Sequence, residues 1–252
     1  MDKPGPLGIV SAMRPELAAL LDMLEGQSVE EVAGRRLHRG RLCGHEVVMV
    51  LCGIGKVAAA LTTTMLIERC GAHSLLFTGV AGGLGPHTQV GDVVVARTLL
   101  QHDLDASPLF PRHQIPDLER DELPTDDAWS RALAAAAQAA LATQADALGA
   151  FGLHTPQVHQ GLVVSGDRFV SSQAESSELA LRLPQALAVE MEGAAMAQVC
   201  TAYGVPCAMV RTISDRADDL AHRDFNRFLA EVASPMSREV ISRALASRAP
   251  RP

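Results

Sequence analysis

Three groups of acids stand where a charge is costly. Glu190 and Glu192 lie in Val189-Glu190-Met191-Glu192-Gly193-Ala194-Ala195, between a predicted strand and a predicted helix that is otherwise nearly free of charge. Asp215 follows Ser214 at the end of the apolar segment Val210-Arg211-Thr212-Ile213. Glu16 lies one turn into the first predicted helix, just after a buried strand. An ionised carboxyl removed from water without a partner is unstable, so such a group is either tightly hydrogen-bonded or kept for chemistry that uses its charge and proton. The residues alone leave simpler readings open. Acids favour helix N-termini, a Ser-Asp pair caps helices, and a first-turn glutamate is commonly solvated.

Other constellations are weaker. Gly79-x-x-Gly82-Gly83-x-Gly85 is not the dinucleotide fingerprint, and Gly53-x-Gly55-Lys56 lacks the spacing and the hydroxyl of a P-loop. Neither has an acidic ribose partner at the expected offset. Nine histidines form no HxH or HxxxH pair, and five cysteines form no CxxC pair, so no metal, organic cofactor or disulfide framework is expected.

Composition narrows the class. The chain has 252 residues, 48% hydrophobic and 20% charged, enough for a buried core in one domain spanning 1–252. Aromatics are 3% of residues and the net charge is −7, which disfavours both base stacking and binding to a phosphate backbone, so no nucleic-acid partner is expected. The apolar stretch within Met1 to Ala12 is too short for a secretory signal or a membrane span, and a cytoplasmic location is the expectation.

The elements that must position the acids follow from the hydrophobic pattern. Strands are predicted at Leu7 to Ala12, in two pieces of a hairpin between Arg35 and Leu51, and at Ser74 to Thr78, Val90 to Ala96, Gly161 to Ser165, Ala186 to Val189 and Cys207 to Ile213. Helices are predicted from Pro15 to about Leu24, after Lys56 to about Cys70, from Ala128 to Leu148, from about Glu192 to Tyr203 and from Asp224 to Leu245. The glycines of 79–86 imply either close backbone approach or a turn with positive φ, and a long proline-rich surface loop is expected between His102 and Thr125. Strands alternating with helices indicate an α/β fold with a sheet covered on both faces. Residues from Ser247 onward read as a frayed tail.

Seven segments in this order resemble the nucleosidase branch of the purine nucleoside phosphorylase superfamily. They are Gly8 to Met13 with Glu16, Cys52 to Ala59, Thr78 to Leu84, Val90 to Val94, Val164 to Phe169, Val189 to Glu192 and Arg211 to Asp215. The resemblance runs from about residue 7 to 245. It implies a single α/β domain with a central twisted mixed β-sheet flanked by helices, usually a homodimer, with no metal or cofactor. The implied activity is hydrolysis of the N-ribosidic bond of 5′-methylthioadenosine and S-adenosylhomocysteine.

The resemblance also implies roles. Asp215, with a raised pKa, would protonate adenine at N7, and Glu192 would hold the ribose hydroxyls with help from the Met191 backbone and, less securely, Glu190. Glu16 with Arg211 would activate the attacking water. Phe169, the Val170 backbone and Ser214 would receive the base, and Met13 and Met191 would lie toward the 5′ tail, joined across a dimer by Leu109 and Phe110. Val80 would line the site in place of the usual serine. Phe77 and Val80 also occupy positions where phosphorolytic relatives carry an Arg and a Ser, which favours water over phosphate. The alternatives on this scaffold are a purine nucleoside phosphorylase and a futalosine-type hydrolase, and outside it a non-catalytic nucleoside-binding protein. Retention of Glu16, Glu192, Arg211 and Asp215 together argues against the last.

Overall fold

The computed structural model describes residues 5–153, 155–216 and 225–249. In chain order its elements are β1 (Leu7–Ser11), α1 (Arg14–Leu21), β2 (Glu25–Val32), β3 (Arg35–Leu42), β4 (His45–Leu51), α2 (Lys56–Glu68), β5 (Ser74–Gly83) and β6 (Val93–Gln101). There follow β7 (Glu122–Pro124), α3 (Asp127–Thr143), α4 (Ala145–Ala150), β8 (Val158–Ser165), α5 (Gln173–Arg182), β9 (Ala186–Glu190), α6 (Gly193–Tyr203), β10 (Cys207–Asp215), α7 (Phe225–Phe228) and α8 (Ser234–Ala246).

One mixed sheet takes all ten strands, in the order β10-β6-β8-β9-β5-β1-β4-β3-β2, with β7 on β6. A further pairing of β10 with β5 closes β5, β10, β6, β8 and β9 into a ring. Alternate residues of each strand point to opposite faces, which divides the core in two. Ile9 and Met49 pack with Leu20, Trp129, Leu133, Val240 and Ile241 under α1, α3 and α8. Val10, Val48 and Val50 pack with Leu66, Phe77, Met196 and Met209 under α2 and α6. No helix among the described residues is long and apolar enough to cross a membrane.

The structure differs from the sequence pattern at several places. The glycine-rich segment at 79–86 is strand as far as Gly83, and Gly79, Gly82, Gly83 and Gly85 are not among the residues with positive φ. These residues stay in the ladder because β10 runs beside β5 from Leu75 to Gly82 and β9 pairs with Gly82 and Gly83. Of the two readings, close approach is the one seen at Gly79, where a Cβ would lie 2.9 Å from Arg211 Nη1 and Glu16 Oε1, and at Gly83, where it would lie 3.1 Å from Thr88 Oγ1. Edge strand β2, rich in exposed acids, breaks the apolar alternation and was not foreseen; charges on an edge discourage pairing with another chain. The alanine-rich helix is split at Gln144 into α3 and α4.

Asp224, where the last helix was expected to begin, lies outside the described residues. From Phe225 the helix widens into a π-helical stretch, Leu229–Ala233, just before Pro235, which has no N–H to donate. The Ser234 hydroxyl donates to the Leu229 carbonyl at 2.7 Å. Of the expected tail, 250–252 lie outside the described residues; within 247–249 the Arg248 guanidinium lies 4.2 Å from the Trp129 ring centroid, and His45 Nε2 is hydrogen-bonded to the Arg248 carbonyl.

Asp92 joins β6, β8 and β10. Its buried carboxylate accepts from the backbone N–H groups of Gln89 at 2.9 Å and Gln157 at 2.7 Å and bonds His159 Nε2 at 2.8 Å. Next to it, Gly91 N–H donates to the Ile213 carbonyl and Ile213 N–H to the Asp92 carbonyl, two residues before Asp215. Asp92→Ala orphans two backbone donors and a histidine, so it is expected to destabilise the protein by about 3 kcal/mol in urea denaturation.

Candidate active site

Strands β1, β5 and β10 are mutually parallel, so their C-terminal ends gather on one edge of the sheet, the usual position of a ligand crevice in α/β folds. The end of β9 joins them through its antiparallel pairing with β5. A cavity of about 250 Å³ lies there. It is lined by all eleven residues expected in the site: Glu16 and Met13 from the start of α1, Val80 from β5, Phe169 and Val170 after β8, Glu190, Met191 and Glu192 around the end of β9, and Arg211, Ser214 and Asp215 from β10.

Arg211 is the centre of the charge arrangement. It is 1% exposed, and its Nη2 lies 2.6 Å from Glu190 Oε2 and 3.9 Å from Glu192 Oε2. Its guanidinium carbon stands 4.1 Å over the Phe77 ring. Burial by itself would lower the Arg211 pKa, but the glutamates hold it above its ordinary value. The guanidinium therefore remains a fixed positive charge.

The acids differ in what they already hold. Glu190 is saturated: one oxygen accepts from the Ser165 hydroxyl and the Gly193 N–H, the other from the N–H groups of Glu192 and Gly193 and from Arg211. Its carboxylate thus secures Arg211 and the start of α6. Among the described residues Glu192 accepts a single N–H, from Gly55 at 2.8 Å, and its pKa is pushed up to about 7 by burial and the neighbouring Glu190 charge. Glu16 accepts from Met13 N–H and Val80 N–H, both at 3.0 Å, and burial raises its pKa against the opposing pull of Arg211. Asp215 is buried and accepts from the Ser214 hydroxyl at 2.8 Å.

Such an arrangement can move protons. Two buried carboxyls with raised pKa values hold protons closer to neutrality than free acids do, and a buried guanidinium can orient a small polar reactant between them. Phe169, 46% exposed at the mouth, offers an apolar face. Leu109 and Phe110 are exposed and are not among the lining residues of this chain.

Ala12, Ile54, Gly79, Arg168 and Phe225 also line the cavity and were not singled out as site residues. Nor was Lys56. Its ammonium bonds Asp103 at 2.6 Å and Gln101 at 3.0 Å, while its N–H bonds Asp167 at 2.7 Å. This ties the Gly55 turn, which supports Glu192, to the turn preceding Phe169. Gly55 has φ +95°, a conformation that favours glycine. The segments carrying Lys56 and Asp167 were each recognisable as motifs, but their contact spans 111 positions.

The chain matches the Phosphorylase superfamily model over residues 6–246 and belongs to that family. Within it the chain is similar to solved 5′-methylthioadenosine/S-adenosylhomocysteine nucleosidases. The enzyme of Neisseria meningitidis in complex with methylthio-immucillin-A is 33% identical, with a TM-score of 0.84, covering 96% of this chain and 99% of that one. S-adenosylhomocysteine nucleosidase of Streptococcus pyogenes in complex with 5-methylthiotubericidin is 32% identical, with a TM-score of 0.83 and 99% of both chains covered. The Colwellia psychrerythraea nucleosidase in complex with adenine is 32% identical, with a TM-score of 0.83 over 97% of this chain and 96% of that one.

The raised Glu192 pKa has a cost for stability. A folded-state value of about 7 against an ordinary 4.5 means the folded protein holds this proton more tightly than the unfolded chain. The penalty for ionising Glu192 is absent below pH 4.5, grows as the pH rises toward 7 and is complete above it. Glu192→Gln removes it, so the variant is expected to be more stable than the wild type by about 3 kcal/mol at pH 8. Chemical denaturation at pH 8 and at pH 4 checks this; the difference should vanish at the lower value.

Proposed function

We propose that the chain is a hydrolase that cleaves the N-ribosidic bond of 5′-methylthioadenosine and S-adenosylhomocysteine and releases adenine. The observation that carries this reading is a single cavity with Asp215 and Ser214 at one end of β10 and Glu16 beside buried Arg211, with Glu192 available between the strand ends. The similar solved nucleosidases support the substrate class.

Breaking a bond from a ribose carbon to a purine nitrogen builds positive charge on the sugar and negative charge on the base. Asp215 would donate a proton to adenine N7, so the electron pair of the C1′–N9 bond leaves on a neutral base. The Glu192 carboxylate would hold the ribose hydroxyls and favour the developing cation. Glu16 would take a proton from water as the water oxygen attacks C1′, much as a carboxylate does in inverting glycosidases. The products are adenine and a free 5-thio-substituted ribose, and the proton gained by Glu16 offsets the one lost by Asp215. Met13, Met191, Ile54 and Phe225 supply apolar surface for a thioether tail.

The enzyme would act as a homodimer. Val57 at 79% exposure, Leu61 at 48% and Ile54 at 64% form an apolar patch on and before α2, flanked by Tyr203 at the end of α6. An open groove lies between these two helices, and a second copy would cover it.

Purified protein is expected to release adenine from 5′-methylthioadenosine without phosphate; a rate that depends strictly on phosphate, with a sugar 1-phosphate as product, would make it a phosphorylase. Asp215→Asn should lower kcat by about 10²- to 10⁴-fold with a smaller change in KM, because it removes the proton donor and keeps the shape. The activity of the wild type should fall as the pH is lowered through the raised pKa of Glu16, because the base must be ionised. That acid limb should therefore lie above the ordinary carboxylate value of 4.5.

A further inference from the structure

Asp103 lies just past the end of β6 and is not among the residues that line the cavity, yet each of its carboxylate oxygens holds a turn that does supply lining residues. Oδ1 accepts from the Lys56 ammonium at 2.6 Å, and Oδ2 accepts from the Asp167 N–H at 2.9 Å. Asp167 Oδ1 in turn accepts from the Lys56 N–H at 2.7 Å, so residues from three separate parts of the chain close a ring. On one side of the ring, the Gly55 N–H next to Lys56 reaches Glu192 Oε1 at 2.8 Å. On the other, Asp167 leads through Arg168 to Phe169 at the mouth of the cavity.

An ion pair in open water would contribute little to either turn. Here the side chains of Lys56 and Asp103 are only 17% and 32% exposed. Burial by itself would raise the Asp103 pKa, but the ammonium and the Asp167 N–H hold it below the ordinary value, so the carboxylate keeps its charge near neutrality. The preceding residue fixes the same turn. The His102 N–H donates to the Ser165 carbonyl at 3.0 Å, and the Gly166 N–H donates to the Glu190 carbonyl at 3.1 Å. A Cβ on Gly166 would collide with the buried His102 ring, and Gly166 is not among the residues with positive φ, so close packing on His102 accounts for the glycine.

We propose that Asp103 is a positioning residue that holds the two ends of the site in register, the sugar end through Lys56, Gly55 and Glu192 and the base end through Asp167 and Phe169. This deepens the proposed function and rests on its reading that Glu192 holds the ribose hydroxyls and that Phe169 receives the base. The two ends depend on Asp103 unequally. Lys56 has a second acceptor, Gln101 Oε1 at 3.0 Å, and Gln101 is itself anchored by its amide N–H to Gln198 Oε1 at 2.6 Å on α6. The Asp167 N–H has Asp103 as its one acceptor among the described residues. Loss of the Asp103 carboxylate therefore frees the base end more than the sugar end.

The test is adenine binding by calorimetry and steady-state hydrolysis of 5′-methylthioadenosine, with Asp103→Ala made in the wild type and in a Phe169→Ala background. In the wild type Asp103→Ala is expected to raise the adenine Kd about tenfold, the scale of one loosened contact between a base and an aromatic ring. KM should rise by a similar factor and kcat should fall less, because Gln101 still holds Lys56. In the Phe169→Ala background the same substitution should change the adenine Kd by less than about threefold, because the ring through which Asp103 acts is gone. An adenine Kd for Asp103→Ala within about threefold of wild type would overturn the proposal, and so would an equal loss in both backgrounds, which marks a structural effect elsewhere. If urea denaturation shows Asp103→Ala to be unfolded, Asp103→Asn, which keeps the volume and one acceptor oxygen, is put through the same cycle and judged by the same outcomes. Adenine binding does not require turnover, so a wild type that binds adenine and leaves 5′-methylthioadenosine intact would sink the hydrolytic reading while the cycle still decides the role of Asp103. A wild type that does not bind adenine would overturn both.

Discussion

A guanidinium buried to 1% exposure among three glutamates is the constraint around which the rest is arranged. Removing a charge from water costs several kcal/mol unless its partners are close and themselves hydrogen-bonded. Glu190 meets that requirement only because Ser165 and the first N–H groups of α6 saturate its oxygens. Strand β8, strand β9 and helix α6 are thus tied to β10 through one ion pair. The net negative character left over is not neutralised within the protein. Burial raises the pKa of Glu16, burial and the Glu190 charge raise that of Glu192, and the excess of carboxyls over one guanidinium suits a cleft in which a ribosyl cation would form.

The sheet closes where this charge is held. β10 pairs with β5 along most of its length, and β5 curves on to meet β9 with Gly82 and Gly83. A Cβ on β5 would press on Glu16 and Arg211 at 2.9 Å at Gly79, and would crowd Thr88 and Ile213 at 3.1 and 3.2 Å at Gly83. Glycines in the strand therefore let charged groups from β10 and α1 approach the backbone of β5. The same closeness lets Val80, whose side chain offers no hydrogen bond, serve Glu16 through its N–H.

Much of the site was legible in the chain. Glu16, Glu190, Glu192 and Asp215 stood out because an acid next to an apolar strand contradicts the local pattern, and such contradictions collect at functional sites. The strands of the two core faces were legible because they are nearly continuous apolar runs, as in Glu46-Val47-Val48-Met49-Val50-Leu51. Strand β2 was not, since its exposed acids conceal the alternation on a sheet edge. Lys56 was not, since its carboxylate partners, Asp103 and Asp167, lie far away in sequence.

By itself the sequence determined the α/β class, the order of most elements, the family and which acids belong to the site, because hydrophobic period and ordered motifs are local properties of the chain. Tertiary structure decided the division of labour among those acids. Glu190 and Glu192 are two residues apart and chemically identical, yet among the described residues one accepts five hydrogen bonds and the other one, and the pKa of the second is pushed up to about 7. Only the folded chain could separate them, because desolvation and the distance to Arg211 are set by strands that meet from opposite ends of the sequence.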